Sequence, residues 1–154
     1  MVSPGNPLKP RRGMAPLPAR LASARAIADG RRVRATGIEA ALGTRYTADT
    51  LAALRQRFPR ARFVLVIGAD NLWQLPRWKS WAAIAATTPI AVLPRPGWTR
   101  RALASQAAHR LARHRRRPAA LLCGGGLAHA PWCFVPAAEH AASATAIRAA
   151  MQAA

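Results

Sequence analysis

The apolar run Phe63-Val64-Leu65-Val66-Ile67 passes directly into Gly68-Ala69-Asp70-Asn71-Leu72, and this junction constrains the fold more than any other stretch of the chain. A short, unbroken apolar run rich in β-branched residues reads as a buried strand whose carboxyl end opens into a polar loop. In open α/β sheets, ligands bind at that end of the strands. A carboxylate there, Asp70, can accept hydrogen bonds from ribose hydroxyls. An indole shortly after it, within Pro76-Arg77-Trp78-Lys79-Ser80-Trp81, can stack on a flat heterocycle.

Flanking segments supply the alternation that a parallel sheet needs. Ser3-Pro4-Gly5-Asn6-Pro7-Leu8-Lys9-Pro10 is too rich in turn formers for a helix or central strand and reads as a loop. Leu17, Leu21, Ala24 and Ala28 recur at helical spacing up to Asp29-Gly30, and residues 33–38 read as a short strand. A capped helix is predicted from near Thr47 through Leu51, Leu54 and Phe58 to its stop at Pro59. Further predictions are a helix over 79–86, a strand over 90–93 closed by Arg95-Pro96-Gly97, and a helix over 99–114 stopped by Arg115-Arg116-Arg117-Pro118. Residues 119–123 and 132–135 read as short strands around Gly124-Gly125-Gly126, and Ser143 opens a final alanine-rich helix. Strands alternating with helices imply an α/β fold.

A chain of 154 residues suits one domain, with roughly two thirds of its unfolded surface buried on folding. Its cations outnumber its acids by 24 to 5, for a formal net charge of +19, which draws polyanions of any kind. Arginine-rich codon usage produces the same surplus without a partner, so charge alone implies only non-specific contact with nucleic acid. No run approaches the roughly 20 apolar residues of a membrane span and no signal-peptide core is present, so a cytoplasmic protein without membrane contact is expected. Cys123 and Cys133 lack metal-ligand spacing, so two free thiols and no metal site are expected.

Ser143-Ala144-Thr145-Ala146-Ile147-Arg148 places hydroxyls and free backbone amides at a helix start, where a phosphate can be cradled; an ordinary N-cap by Ser143 explains the same residues. Trp81 reads equally as core, and Tyr46 and Asp49 read as structural. His109, His114, His129 and His140 read as surface or helix-end residues, and the glycine loop lacks the lysine of a phosphate-binding loop.

Five segments taken together resemble the bacterial nicotinate-nucleotide adenylyltransferases of the HxGH nucleotidyltransferase superfamily. They are Ser3-Pro4-Gly5-Asn6-Pro7-Leu8-Lys9, Arg45-Tyr46-Thr47-Ala48-Asp49-Thr50-Leu51, Gly68-Ala69-Asp70-Asn71-Leu72 with Trp78 and Trp81, Arg95-Pro96-Gly97, and the Ser143 to Arg148 segment. The resemblance implies a Rossmann-like parallel sheet with flanking helices, forming a single nucleotidyltransferase domain over 1–154. It also implies that nicotinate mononucleotide attacks the α-phosphate of ATP, giving deamido-NAD and pyrophosphate, with Mg2+ accompanying ATP. By matching position, Thr47 would hold the nicotinate carboxylate, Trp78 would stack on the pyridine ring, and Asp70 would bond the ribose or base. Lys9 and Arg95 would add positive charge near the phosphates, and Ser143, Thr145 and Arg148 would face ATP.

The family's paired histidines, in a segment of the GGxFxPxHxGH type, have no counterpart among the four histidines here, so no catalytic residue is assigned. The chain opens where the second strand of the family should end. The expectation is therefore an N-terminally truncated domain, short of its first βα unit and most of strand two, that folds poorly and turns over weakly on its own. Three other readings stand beside this one: a sister adenylyltransferase acting on another phosphate monoester, a basic RNA-binding module, and an inactive remnant that keeps the fold's surface but not the chemistry. Trp78 and the Tyr46 to Leu51 segment argue against the first, and no RNA-binding motif supports the second.

Overall fold

The structure, a computed structural model, describes residues 1–5, 14–121 and 130–139. Its contacts sort into two compact units, Met1–Arg62 with Trp78–Ser80, and Phe63–Arg77 with Trp81–Ala154.

The first unit is helical. α1 (Leu17–Ile27) follows Pro16 and carries Pro18 in its first turn, where a missing N–H breaks no helical bond. Beyond its end, Asp29 Oδ1 accepts from the amides of Val33 (2.8 Å) and Arg31 (3.0 Å), while Gly30 takes a φ of 70° that a side chain would resist. The Arg20 guanidinium donates to the carbonyls of Ser3 (2.8 Å) and Pro4 (3.2 Å) and so fastens the start of the chain to α1. α2 (Ile38–Ala41) and α3 (Thr47–Arg57) complete the unit.

The strand expected over 33–38 does not form. Ile38 instead opens α2, and Val33 stands 61% exposed. An extended segment becomes a strand only by pairing. Here the backbone bond from Val2 N to Thr36 O, 2.8 Å, is not continued into a ladder.

The second unit holds the sheet. β1 (Leu65–Gly68) leads into α4 (Ala69–Gln74) and a 3-10 turn at Leu75–Arg77; α5 (Trp81–Thr87) then precedes β2 (Ile90–Leu93). α6 (Thr99–Leu103) and α7 (Gln106–Arg110) follow, and β3 (Trp132–Phe134) closes the sheet. The strand order is β1-β2-β3 with both pairings parallel, the Rossmann-like arrangement with flanking helices. Ile67, Leu72, Leu75, Ile84, Ile90, Val92 and Trp132 are all buried here, and each large side chain so removed from water contributes about 1.5–3 kcal/mol. Cys133 lies in the same core, and burial pushes its thiol up from the ordinary cysteine range.

Several local expectations need correcting. The residues after β1 form helix α4 and not a polar loop, because Gly68 sits extended (φ −78°, ψ 161°) as its N-cap and Asp70 falls in the first turn, where the helix dipole favours a negative charge. The helix expected over 99–114 is broken between α6 and α7: Ser105 accepts from Ala108 N at 3.3 Å and so caps a new start. Within 119–123, the described part belongs to a 3-10 turn, Pro118–Leu121, in place of a strand. The Gly124 to Gly126 loop and the helix expected from Ser143 lie outside the described residues. Among the described residues, no helix is long and apolar enough to cross a membrane.

Candidate functional site

Parallel register builds the site in the second unit. Leu65 pairs with Ile90 and Gly68 with Leu93, so β1 and β2 end side by side. Asp70 lies two residues past one strand end and Arg95 two past the other. Arg95 Nη1 comes to 3.5 Å from Asp70 Oδ1, an ion pair between a side chain 8% exposed and one 42% exposed. That oxygen has no hydrogen bond and is shielded from water. A buried carboxylate oxygen without a hydrogen bond carries a cost of about 1–3 kcal/mol, which the neighbouring Arg95 charge offsets in part.

Two backbone features hold this pair. A Cβ built on Gly68 would meet Asp70 Oδ1 at 2.6 Å and Arg95 Nη1 at 3.7 Å, so only glycine lets the carboxylate fold back against the strand end. The Arg95-Pro96-Gly97-Trp98 turn is closed by a bond from Trp98 N to Arg95 O (2.9 Å) and needs Gly97 at a φ of 74°. The Arg95 amide donates to Thr99 Oγ1 (3.2 Å), and that hydroxyl also reaches the Glu139 carboxylate.

Three residues beyond each partner of the ion pair stands an indole. Trp73 and Trp98 meet at 5.5 Å between centroids, tilted by 57°, with the Arg77 guanidinium 5.2 Å from the first ring and that of Arg101 5.8 Å from the second. The sequence reading missed this aromatic wall, although the shared i+3 offset from Asp70 and Arg95 was a signal that could have found it. Trp81 belongs to another surface of the unit. It lines a cleft of about 490 Å³ with Ala82, Arg110, Leu111 and His114, and the Arg110 guanidinium sits 5.6 Å from its ring. Neither Asp70 nor Arg95 lines that cleft.

In the first unit, Thr47 is the first residue of α3, whose opening amides have no acceptor within the helix, and Tyr46 at the N-cap offers no side-chain bond in exchange. Trp78, half-buried, belongs to this unit together with Lys79 and Ser80. Behind the helix start, Thr50 Oγ1 lies 2.8 Å from Thr44 Oγ1, 3.3 Å from Glu39 Oε1 and 3.2 Å from the Tyr46 carbonyl. Glu39 is 3% exposed, and its Oε2 has no hydrogen bond. Residues 39 and 50 are too far apart in sequence for periodicity to link them; Thr50 stands out in the sequence only as part of the Arg45 to Leu51 segment, and Glu39 not at all.

The structure thus brings Asp70 and Arg95 together in one unit and places Thr47 and Trp78 in the other. Lys9, Ser143, Thr145 and Arg148 lie outside the described residues. Among the described residues, no group of three or more histidine, cysteine and carboxylate side chains could hold a metal ion.

No family model matches the chain. Individual proteins do. A probable nicotinate-nucleotide adenylyltransferase of Gluconobacter oxydans is 55% identical over 152 residues, spanning 96% of this chain and 76% of that protein. A protein of the same description from Gluconacetobacter diazotrophicus is 53% identical over 151 residues, 97% of this chain and 69% of its own length. One from Cereibacter sphaeroides is 53% identical over 149 residues, 97% of this chain and 78% of its own.

Proposed function

The chain belongs to the nicotinate-nucleotide adenylyltransferase family, and from that premise we propose that it transfers the adenylyl group of ATP to nicotinate mononucleotide, giving deamido-NAD and pyrophosphate in NAD biosynthesis. The observation that carries the reading is the Asp70–Arg95 pair at the neighbouring carboxyl ends of β1 and β2. Asp70 Oδ1, buried and without a hydrogen bond, takes a donor from the ribose or base, and Arg95 supplies charge to a phosphate oxygen. Thr47 and the free amides of the first turn of α3 bind the nicotinate carboxylate, an anion suited to a helix N-terminus. Trp78 stacks on the pyridine ring, a contact worth about 1–3 kcal/mol for bases on aromatic platforms. Lys9, Ser143, Thr145 and Arg148 take the phosphates of ATP by their place in the sequence.

Mg2+ would accompany ATP and neutralise charge on its phosphates, with Lys9 and Arg95 adding positive charge from the chain. Adenylyl transfer of this kind needs little covalent help, so the chain contributes position and charge neutralisation. We place the reaction in the cytoplasm, where ATP is supplied. Neither a sister adenylyltransferase nor an RNA-binding module is favoured by the relatives.

The test is a single-turnover reaction with protein in excess over ATP, comparing nicotinate mononucleotide with phosphopantetheine and following product by mass. Deamido-NAD from the first and no adduct from the second is the expected result. Adenylylated phosphopantetheine without deamido-NAD would move the chain to the sister activity.

A further inference from the structure

Trp78 sits on a bend with no helix or strand of its own, and its neighbour Lys79 is anchored to the start of α3. Lys79 Nζ donates to both carboxylate oxygens of Asp49, at 3.1 and 3.0 Å, across a sequence separation of 30. The same ammonium lies 5.0 Å from the centroid of the Tyr46 ring, whose other cation is the Arg45 guanidinium at 6.0 Å. Tyr46 and Asp49 flank Thr47 at the start of α3. Directly after Lys79 the chain reverses through Ser80, which holds a φ of 51° that a residue with a side chain keeps only when its surroundings impose it.

We propose that the Asp49–Lys79 ion pair is a positioning clamp that ties the 78–80 segment to the first turn of α3 and thereby orients the Trp78 indole for the pyridine ring of its ligand. Asp49 and Lys79 touch no substrate themselves; they act through Trp78. Asp49 is favoured at this place by the helix dipole as well as by the lysine. The identity of the ligand rests on the function proposed above, whereas the clamp does not. Because the two side chains are 49% and 42% exposed, the clamp is sensitive to salt and its effect on affinity is modest.

The experiment follows the Trp78 indole N–H resonance in the 15N-labelled chain, assigned through Trp78→Phe, alongside calorimetric titration with nicotinate mononucleotide. Asp49→Asn and Lys79→Met each move and broaden the indole signal and weaken nicotinate mononucleotide by about two- to fivefold, without changing ATP affinity. The charge-swapped double variant, Asp49→Lys with Lys79→Asp, recovers most of both. On the unmodified chain, raising NaCl moves the signal in the direction of the single variants, which themselves no longer respond. An indole signal unmoved by either substitution and by salt overturns the clamp. If the signal responds as described but nicotinate mononucleotide does not bind, the clamp stands and the ligand assignment fails.

Discussion

In the second unit, β2 runs between β1 and β3 with Ile90 and Val92 buried, whereas the described part of the first unit buries Glu39 and Thr50 beside Leu51. One unit is organised by apolar side chains removed from water. The other is organised by directed bonds: Thr50 to Glu39 and Tyr46, Asp29 to the amides of its own turn, and Arg20 to the carbonyls of Ser3 and Pro4. The difference teaches where each kind of functional residue can be placed. A carboxylate such as Asp70 can be held with an oxygen free of hydrogen bonds because a rigid strand end and a glycine confine it. The helix start at Thr47 is instead backed by directed bonds, from Thr50 Oγ1 to Thr44, to Glu39 Oε1 and to the Tyr46 carbonyl.

The comparison breaks first at the core. Leu72→Ala in the second unit should cost about 2–5 kcal/mol, since its side chain is fully buried and its removal leaves a void in the core. Urea unfolding followed by circular dichroism checks this, and a cost below 1 kcal/mol would mean that the sheet is not what stabilises that unit. Thr50→Val is the matching change in the first unit: it keeps the shape, removes the hydroxyl shared by Glu39, Thr44 and the Tyr46 carbonyl, and should cost about 1–3 kcal/mol. Faster amide exchange in the first turn of α3 would mark the loss locally. A third change tests confinement of the carboxylate: Gly68→Ala should push Asp70 off its place and weaken deamido-NAD about tenfold, or ~1.4 kcal/mol, by calorimetry.

The smallest effect concerns the turn after α1. The amide of Val33, ahead of those of Arg31 and Arg32, holds the Asp29 carboxyl below the ordinary aspartate value. The folded value is therefore lower than the unfolded one, so the turn is stabilised above the unfolded value and loses that stabilisation as pH falls through the folded one. An acid titration followed by the Val33 amide resonance should show the shift on the acid side of ordinary aspartate behaviour, and Asp29→Asn should abolish the titration.

What could be read from the sequence follows the same division. β2 stands at the predicted residues 90–93, and β1 is offset by only a residue or two from 63–67, because short continuous apolar runs bounded by proline or glycine carry a strong local signal. α3 begins at Thr47, as its spacing suggested. Residues 33–38 misled because a short extended segment reveals nothing about whether a partner strand lies beside it. The break between α6 and α7 was hidden because Ser105 shows itself as a cap only once the chain turns there. At the site, Asp70 was visible as a rare acid after a strand and Arg95 by its turn, but their pairing depends on the register of two strands that sequence does not display. The links from Glu39 to Thr50 and from Asp49 to Lys79 join residues whose separation carries no periodic signature.

In the function proposed above, Asp70 makes the neighbouring ends of β1 and β2 a nucleotide site. That role is tested most directly by calorimetric titration of deamido-NAD into the chain and into Asp70→Asn, a substitution that keeps the shape and removes the charge. The expected result is saturable binding to the unmodified chain that Asp70→Asn weakens by about 10- to 100-fold, the range for a lost hydrogen bond to a charged group, with the melting temperature no lower than before. Equal affinity in the two proteins would contradict it.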